Sequence, residues 1–434
     1  MMSLFGSSGI RGRIGDKITV DLVTRIGAAV GTSCARIIVG RDTRTSGHMM
    51  VNALVAGATS VGADVMTAGV VSTPTLARAA SEFDCGLMLT ASHNPSEYNG
   101  VKMWNPDGSA FDSDQMEKVE ELILEDQRSG CTWDAVGSCQ RYHGAVEDHI
   151  SRILDSLGKV SLKVVVDCGC GATCNITPRL MREMGCQVVT LNAQEDGYFP
   201  GRLPEPTEEQ LGDLMRLVRE TGADLGIAQD GDGDRMVAVD EKGRFVNGDA
   251  LLALFASRTS GGMAAPINAS MVLDDMVEGE VVRTRVGDVY VSDALKREGL
   301  SFGGEPSGTY IFSEQTYCPD GVYAAALLTS MVDGSRLSDM VDNLPSYPVS
   351  RNSFGFEPSR REEVGSRLGN EMGQIECDRL LTLDGFRAEF EDGWFLIRLS
   401  GTEPKIRITS EARDMETVRR LDSMASDIVG RCLA

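Results

Sequence analysis

Residues 223–240 read ADLGIAQDGDGDRMVAVD. Two short apolar runs flank an acidic turn, and that pattern decides the fold class. Each run has strand length and β-compatible residues, so the stretch reads as strand, loop, strand. Asp230, Asp232 and Asp234 place three carboxylates within five residues. Such a cluster repels itself unless a cation sits among the acids. The intervening glycines let the backbone curl, so that alternate side chains converge. Oxygen-only ligands suit hard Mg²⁺ or Ca²⁺ rather than zinc. A calcium-binding EF-hand loop is the rival, because Glu241 falls at its twelfth position. Against it, Arg235 stands at the sixth position, where glycine is needed, and the flanks are strands rather than helices. A plain acidic turn open to water is the remaining alternative.

The same rhythm of apolar run, polar loop and helical pattern recurs outward from this point. Arg36–Val39 precedes GRDTRTSG, Gly86–Thr90 precedes ASHNPSEYNG, and Val164–Asp167 precedes CGCGAT. This alternation predicts α/β domains with mainly parallel or mixed sheets. Ligands of such sheets bind at the loops leaving the carboxyl ends of strands. A helix over Val146–Leu157 links the first unit to one opening at Lys163, and Gly248–Ala256 begins another helix. Beyond Pro345 and Pro348 the pattern changes to a strand pair around Trp394–Ser410 and a closing helix. That helix carries Met415, Val418, Leu421, Met424, Ala425, Ile428 and Val429 at helical spacing, which predicts a core-facing stripe.

The chain of 434 residues carries 42 Lys and Arg against 64 Asp and Glu, a formal net charge of −22. So acidic a protein is a poor binder of nucleic acid or anionic membrane. With 42% hydrophobic and 24% charged residues it has the composition of a globular protein with large cores. No apolar stretch approaches the ~18 residues of a membrane span. The opening MMSLFGSSGIRG lacks the features of a secretory signal. Eleven cysteines then read as free thiols of a reducing cytoplasm. Cys168, Cys170 and Cys174 invite a zinc reading, but the spacing is wrong and no histidine is near, so a tight turn is the simpler account.

Three further loops carry chemistry. Thr90-Ala-Ser92-His93-Asn94-Pro95 puts a serine at the carboxyl end of a strand, where nucleophilic or phosphorylated serines are found; an Asn-Pro turn with Ser92 as a helix cap is the alternative. A serine hydrolase is disfavoured, since no G-x-S-x-G elbow surrounds Ser92. Arg398-Leu-Ser400-Gly401-Thr402-Glu403-Pro404, with Arg407, reads as an anion nest able to cradle phosphate, or as a simple hairpin turn. Gly303-Gly304-Glu305-Pro306-Ser307-Gly308 offers a carboxylate and a hydroxyl to sugar hydroxyls, or is a plain turn. Together the loops supply a divalent metal, a serine, a phosphate cradle and a polyol site, which points to phosphoryl transfer on a phosphorylated sugar.

TASHNP, DGDGDR, GGEPSG and RLSGTEP, with FGSSGIRG and VGRDTRTSG before them, resemble the α-D-phosphohexomutase superfamily in order and spacing over essentially the whole chain. The resemblance implies an α/β protein. It has three related α/β domains with mixed sheets, plus a smaller C-terminal α+β domain like the TATA-box-binding protein, around a central cleft. The divisions fall at 1–155, 156–248, 249–345 and 346–434. The four units replace the three that length alone suggests at ~150 residues each.

Phe5–Gly12 and the doubled glycine before Glu305 look like the phosphoglucosamine mutase branch in its archaeal form. Thr309 departs from the histidine that bacterial members tend to carry, so mannose and glucose phosphates stay open beside glucosamine phosphates. By this resemblance Ser92 carries a phosphoryl group and hands it to a sugar monophosphate. A 1,6-bisphosphate forms, serves also as primer, and returns its other phosphate to Ser92. Asp230, Asp232, Asp234 and the serine phosphate hold one Mg²⁺ per subunit. Arg398, Ser400, Gly401, Thr402 and Arg407 hold the idle phosphate, and Glu305 and Ser307 the ring hydroxyls. Arg11, Lys102 and His93 are the candidates for proton transfer. A small-molecule sugar phosphate is then the partner, with no nucleic acid or membrane, in a cytoplasmic monomer or homodimer. A metal-dependent phosphatase and a non-catalytic sugar-phosphate sensor are the other classes considered.

Overall fold

The computed structural model describes residues 5, 6, 9–125, 130–400 and 403–434. Four sheets follow one another along the chain. The first holds β1 (Ile10–Arg13), β2 (Arg36–Arg41), β3 (Asp64–Val70), β4 (Cys85–Leu89), β5 (Tyr98–Trp104) and β6 (Cys139–Arg141), in the order β1-β5-β4-β2-β3-β6. Its centre is parallel, whereas β5 runs antiparallel to β4 and β1. The second holds β7 (Lys163–Asp167), β8 (Gln187–Leu191), β9 (Leu225–Gln229), β10 (Met236–Asp240) and β11 (Phe245–Val246), in the order β11-β10-β9-β7-β8. The third holds β12 (Met263–Pro266), β13 (Val281–Thr284), β14 (Phe302–Glu305) and β15 (Thr309–Phe312), in the order β13-β12-β14-β15. Both are mixed, each with a parallel core and an antiparallel hairpin at one side. The fourth sheet is wholly antiparallel: β16 (Val349–Gly355), β17 (Arg379–Leu381), β18 (Phe386–Phe390), β19 (Gly393–Leu399) and β20 (Lys405–Ala412), ordered β16-β20-β19-β18-β17. The architecture is the expected one of three mixed-sheet α/β units and a C-terminal α+β unit.

The central strands of the α/β units form where the sequence is apolar on both faces. CGLML of β4 and LGIAQ of β9 are buried at every position, as strands covered by helices on both sides must be. The hairpin β9–β10 closes around the acidic turn, with Met236 opposite Gln229. The closing helix spans Met415–Leu433 and buries Val418, Leu421, Ala425, Ile428 and Val429. Met424 packs at the edge of that core, but Met415 is 47% exposed and leaves the expected stripe. It sits in the first turn of the helix.

The first and fourth units have apolar cores of their own. The second and third share one. Val164, Leu180 and Ile227 pack in a single cluster with Leu251, Phe255, Phe302 and Tyr310. The fourth unit is pinned to the third by buried polar groups. Arg387 donates from Nη1 to the carbonyls of Ile267 at 2.7 Å and Ala269 at 3.0 Å. Glu411 accepts from Ser270 at 2.6 Å and the Met271 N–H at 2.7 Å. Burial and the neighbouring Arg283 charge lower the Arg387 pKa to about 9. Among the described residues no helix is long and apolar enough to cross a membrane.

Candidate active site

Ser92 lies in the turn after β4, fully buried, with a left-handed φ of 50°. That conformation is strained for a non-glycine residue and persists only where the surroundings impose it. Arg44 imposes it here. Its Nη2 donates to the carbonyls of Ser92 at 2.9 Å and Asn94 at 2.6 Å. Its Nη1 donates to the carbonyls of Pro95 at 2.5 Å and Tyr98 at 2.9 Å. Its Nε pairs with Asp42 at 2.9 Å, and its guanidinium lies 5.2 Å from the Phe199 ring centroid. Every guanidinium nitrogen is thus engaged, four bonds holding the serine turn. Asp42 also accepts from Thr90 at 2.7 Å, and Thr90 Oγ1 accepts the Ser92 N–H at 2.8 Å.

The acidic turn meets this serine from the second unit. Ser92 Oγ donates to Asp230 Oδ2 at 2.6 Å. Asp230 Oδ1 accepts the N–H groups of Gly233 at 3.0 Å and Arg235 at 3.2 Å, which curls the turn. A Cβ on Gly231 would stand 2.6 Å from the Ser92 carbonyl oxygen. Only glycine admits that approach. Behind the turn, Arg202 bonds Asp167 at 2.9 Å and the Gln229 carbonyl at 2.6 Å, fixing the residue that precedes Asp230.

Lys102, on β5, projects into the same place. Its Nζ lies 2.8 Å from Asp232 Oδ2 and 2.5 Å from Asp234 Oδ2. Burial lowers the lysine pKa, but the two aspartates outweigh it and hold the ammonium charged. Burial and the charges of Asp234 and Asp232 push Asp230 well above the carboxylate range, and burial with Asp232 raises Asp234. Asp232 moves the other way. Burial would raise it, but the Lys102 charge and hydrogen bonds from Lys102 and Thr73 hold it below its ordinary value. His93 Nδ1 is 3.4 Å from Ser92 Oγ. Burial, then the charges of Arg235, Arg11 and Lys102, lower its pKa to about 3, so the ring is neutral at physiological pH. Arg11 on β1 pairs in register with Gly100 of β5.

The three carboxylates fit a metal. One oxygen from each lies within 4.8 Å of the others. Oδ1 of Asp232 and Oδ1 of Asp234 are buried with no hydrogen-bond partner. Such orphaned oxygens are costly unless a cation takes them, and an all-oxygen set suits a hard divalent ion.

The third unit docks its loop onto this turn. Met236 N–H donates to the Gly308 carbonyl at 2.9 Å, and Arg235 bridges Thr309. Glu305 ends β14 and accepts the Gly287 N–H at 2.8 Å. Burial, then the Asp288 charge, raise its pKa from 4.5 to about 7. Ser307 is exposed, its hydroxyl 3.1 Å from that of Thr309.

The fourth loop stands apart. Arg398 and Arg407 face each other across β19 and β20. Arg398 pairs with Asp384 at 2.8 Å and Arg407 with Glu403 at 3.3 Å. The Ser400 carbonyl accepts from Arg361 at 2.6 Å. Gly401 and Thr402 lie outside the described residues. The structure therefore unites Ser92, His93, Lys102, the aspartates and the Glu305 loop, while these contacts of Arg398, Ser400 and Arg407 stay within their own unit.

Sequence reasoning assigned no part to Arg44, Asp42, Thr90 or Arg202. GRDTRTSG did carry a signal, since Asp42 and Arg44 follow a buried strand directly. Arg202 had none, its partner Asp167 being 35 positions away.

Four family models match in order. They are the phosphoglucomutase/phosphomannomutase alpha/beta/alpha domains I, II and III, at residues 2–129, 140–243 and 247–347, and the C-terminal domain at 359–428. The chain belongs to the phosphoglucomutase/phosphomannomutase family, within the α-D-phosphohexomutases. It is 51% identical to a "probable phosphoglucosamine mutase" of Methanocella arvoryzae, covering 100% of this chain and 99% of that one. A protein of the same description from Methanococcoides burtonii is 47% identical, with 100% of both covered. The crystal structure of a phosphoglucomutase/phosphomannomutase family protein from Burkholderia thailandensis superposes with a TM-score of 0.89 at 29% identity, covering 99% of this chain and 97% of that one.

Arg44→Lys keeps the charge but loses the fork of donors. It should cost at least about 2 kcal/mol, since buried carbonyls lose their partners; an unchanged urea midpoint would contradict the clamp. Glu305 holds its proton in the folded state between pH 4.5 and about 7, where the unfolded chain has released it. Stability should therefore fall as pH rises through that window. Glu305→Gln should remove this slope, so that the variant gains on the parent from pH 5 to pH 8; parallel curves would refute the shift.

Proposed function

We propose that the chain is an intramolecular phosphotransferase that interconverts glucosamine 6-phosphate and glucosamine 1-phosphate, with Ser92 as the phosphate carrier. The observation that carries this reading is the Ser92 hydroxyl, held in a left-handed turn 2.6 Å from one of three clustered aspartates. A buried serine among acids is a poor resting place for a phosphate unless cations are present. Lys102 is one such cation in the site. The two relatives described as phosphoglucosamine mutases support the amino sugar.

Phosphoserine gives its phosphoryl group to the free hydroxyl of the bound sugar monophosphate. The bond from phosphorus to Ser92 Oγ breaks, and one to the sugar oxygen forms. The bisphosphate then presents its other phosphate, the reverse transfer restores phosphoserine, and the product leaves with its phosphate moved. The incoming hydroxyl must lose a proton and Ser92 Oγ must gain one. His93 is neutral and its Nδ1 lies 3.4 Å from Oγ, so of the three it is the one with a nitrogen free to accept a proton, which the charged Lys102 and Arg11 lack. Lys102 and Arg11 serve as fixed positive charge against the transferred group.

Asp230, Asp232, Asp234 and the serine phosphate would hold Mg²⁺. When bound, the ion supplies charge that offsets the negative charge on the transferring group. Glu305 and Ser307 bind ring hydroxyls. Arg398, Ser400, Gly401, Thr402 and Arg407 take the idle phosphate, for which Arg398 and Arg407 exchange their acidic partners. In this reading the joints between units fall near 155, 248 and 345. All eleven cysteines are free, which supports a reducing cytoplasm.

Purified protein primed with a trace of sugar 1,6-bisphosphate should turn over glucosamine 6-phosphate faster than mannose 1-phosphate or glucose 1-phosphate. Equal or faster turnover of mannose 1-phosphate would reject the amino-sugar assignment, and steady release of inorganic phosphate would replace the mutase by a phosphatase. Ser92→Ala should lower turnover by a factor of about 10³ or more. The same substitution should abolish the gain of about 80 Da expected of the phosphorylated peptide.

A further inference from the structure

Thr73 heads the helix Thr73–Ala79, which follows β3 of the first unit. It is fully buried and touches the acidic turn twice. Its N–H donates to the Asp232 carbonyl at 2.8 Å, and its hydroxyl donates to Asp232 Oδ2 at 2.6 Å. Lys102 Nζ reaches the same oxygen at 2.8 Å. Oδ2 is thus occupied from two sides, while Oδ1 of the same carboxylate is buried and unpartnered.

We propose that Thr73 is a positioning residue for the metal site, fixing the Asp232 carboxylate so that its free oxygen faces the ion. This role rests on the proposed metal site. Three carboxylates within 4.8 Å repel one another and turn apart unless something holds them. Lys102 cannot hold Asp232 alone, because an arriving divalent cation has the same sign of charge and weakens that pair. The threonine hydroxyl is neutral and its χ1 is stiff, so it is the donor that persists when the ion is bound.

The helix head that carries Thr73 is anchored independently of this bond. Ser72 Oγ lies 2.7 Å from Thr75 Oγ1, which lies 2.9 Å from His149 Nδ1. His149 Nε2 lies 3.0 Å from Asp320 Oδ2. Asp320 Oδ1 in turn caps the helix Gly321–Val332 of the third unit through the N–H groups of Val322 at 3.0 Å and Tyr323 at 2.8 Å. His149 is fully buried and lies on the helix Ala145–Ser156. Removal of one hydroxyl therefore leaves the backbone of residues 72–75 tied down, and the Thr73 side chain becomes separable from the fold.

The test is a titration of the unphosphorylated, sugar-free protein with Mn²⁺ alone, read by electron paramagnetic resonance, with circular dichroism melting as the check on folding. Thr73→Val keeps the shape and removes the donor; it should weaken Mn²⁺ binding by about tenfold or more, as loss of an outer partner of a metal ligand does. Thr73→Ser restores the hydroxyl and should bind within about twofold of the parent, on the same principle. Asp232→Asn should abolish the tight site. Parent-like binding by Thr73→Val, with Asp232→Asn inactive in binding, would overturn the role of Thr73 and leave the metal site standing. Equal weakening by Thr73→Val and Thr73→Ser would also overturn it, since the hydroxyl would not be the cause. Parent-like binding by Asp232→Asn would remove the metal site itself.

Discussion

Three carboxylates buried together are the constraint around which the rest of the structure is arranged. Left alone they would take up protons or move apart. Here Lys102 faces two of them, Ser92 and backbone N–H groups hold the third, and Thr73 adds a neutral donor. Each side-chain donor comes from a different element. Lys102 stands on β5, Ser92 follows β4, and Thr73 follows β3. The first unit thus supplies the counterweights and the second supplies the charge. Their joint face needs a close backbone approach, which Gly231 provides.

The charge distribution separates roles among groups of similar chemistry. Asp230 and Asp234 are pushed up by burial and by neighbouring carboxylates, Asp234 and Asp232 on the first and Asp232 on the second, whereas the donors to Asp232 hold it down. His93 and Lys102 part in the same way. One is held neutral by burial and then by surrounding cations, the other held charged by surrounding acids against burial. A site that moves a phosphoryl group and a proton needs both kinds of group side by side. Glu305, with its pKa near 7, adds a carboxyl whose charge depends on what occupies the space around it.

The four sheets are not four equal modules. The second and third units share a continuous apolar core, so the acidic turn and the Glu305 loop are mounted on one packed cluster. The fourth is attached through Arg387, Glu411 and the Trp394 ring, over which Arg387 stacks at 3.9 Å. That attachment lies on the β12 side of the third unit, while the cradle loop between β19 and β20 is bonded only to its own neighbours among the contacts described. The fourth unit is thus joined to the third through buried polar groups and a small apolar cluster of Ile267, Trp394 and Leu396, away from the acidic turn.

The sequence by itself determined the class of fold and singled out four loops as candidates for chemistry. Alternating apolar runs and polar turns are local, and so is the spacing of Asp230, Asp232 and Asp234. It also showed what those acids want, because the repulsion among them is written in five consecutive residues. The tertiary structure alone decided which groups answer them. Arg44 reaches four carbonyls some fifty positions away, Arg202 braces the turn from a distant loop, and Thr73 meets Asp232 across 159 positions. Burial is what raises Glu305 and silences His93, and burial follows from packing, not from neighbours in the chain. Local pattern fixes elements and their loops because it acts through the backbone. Charge state and strain arise only when distant chain segments exclude water together.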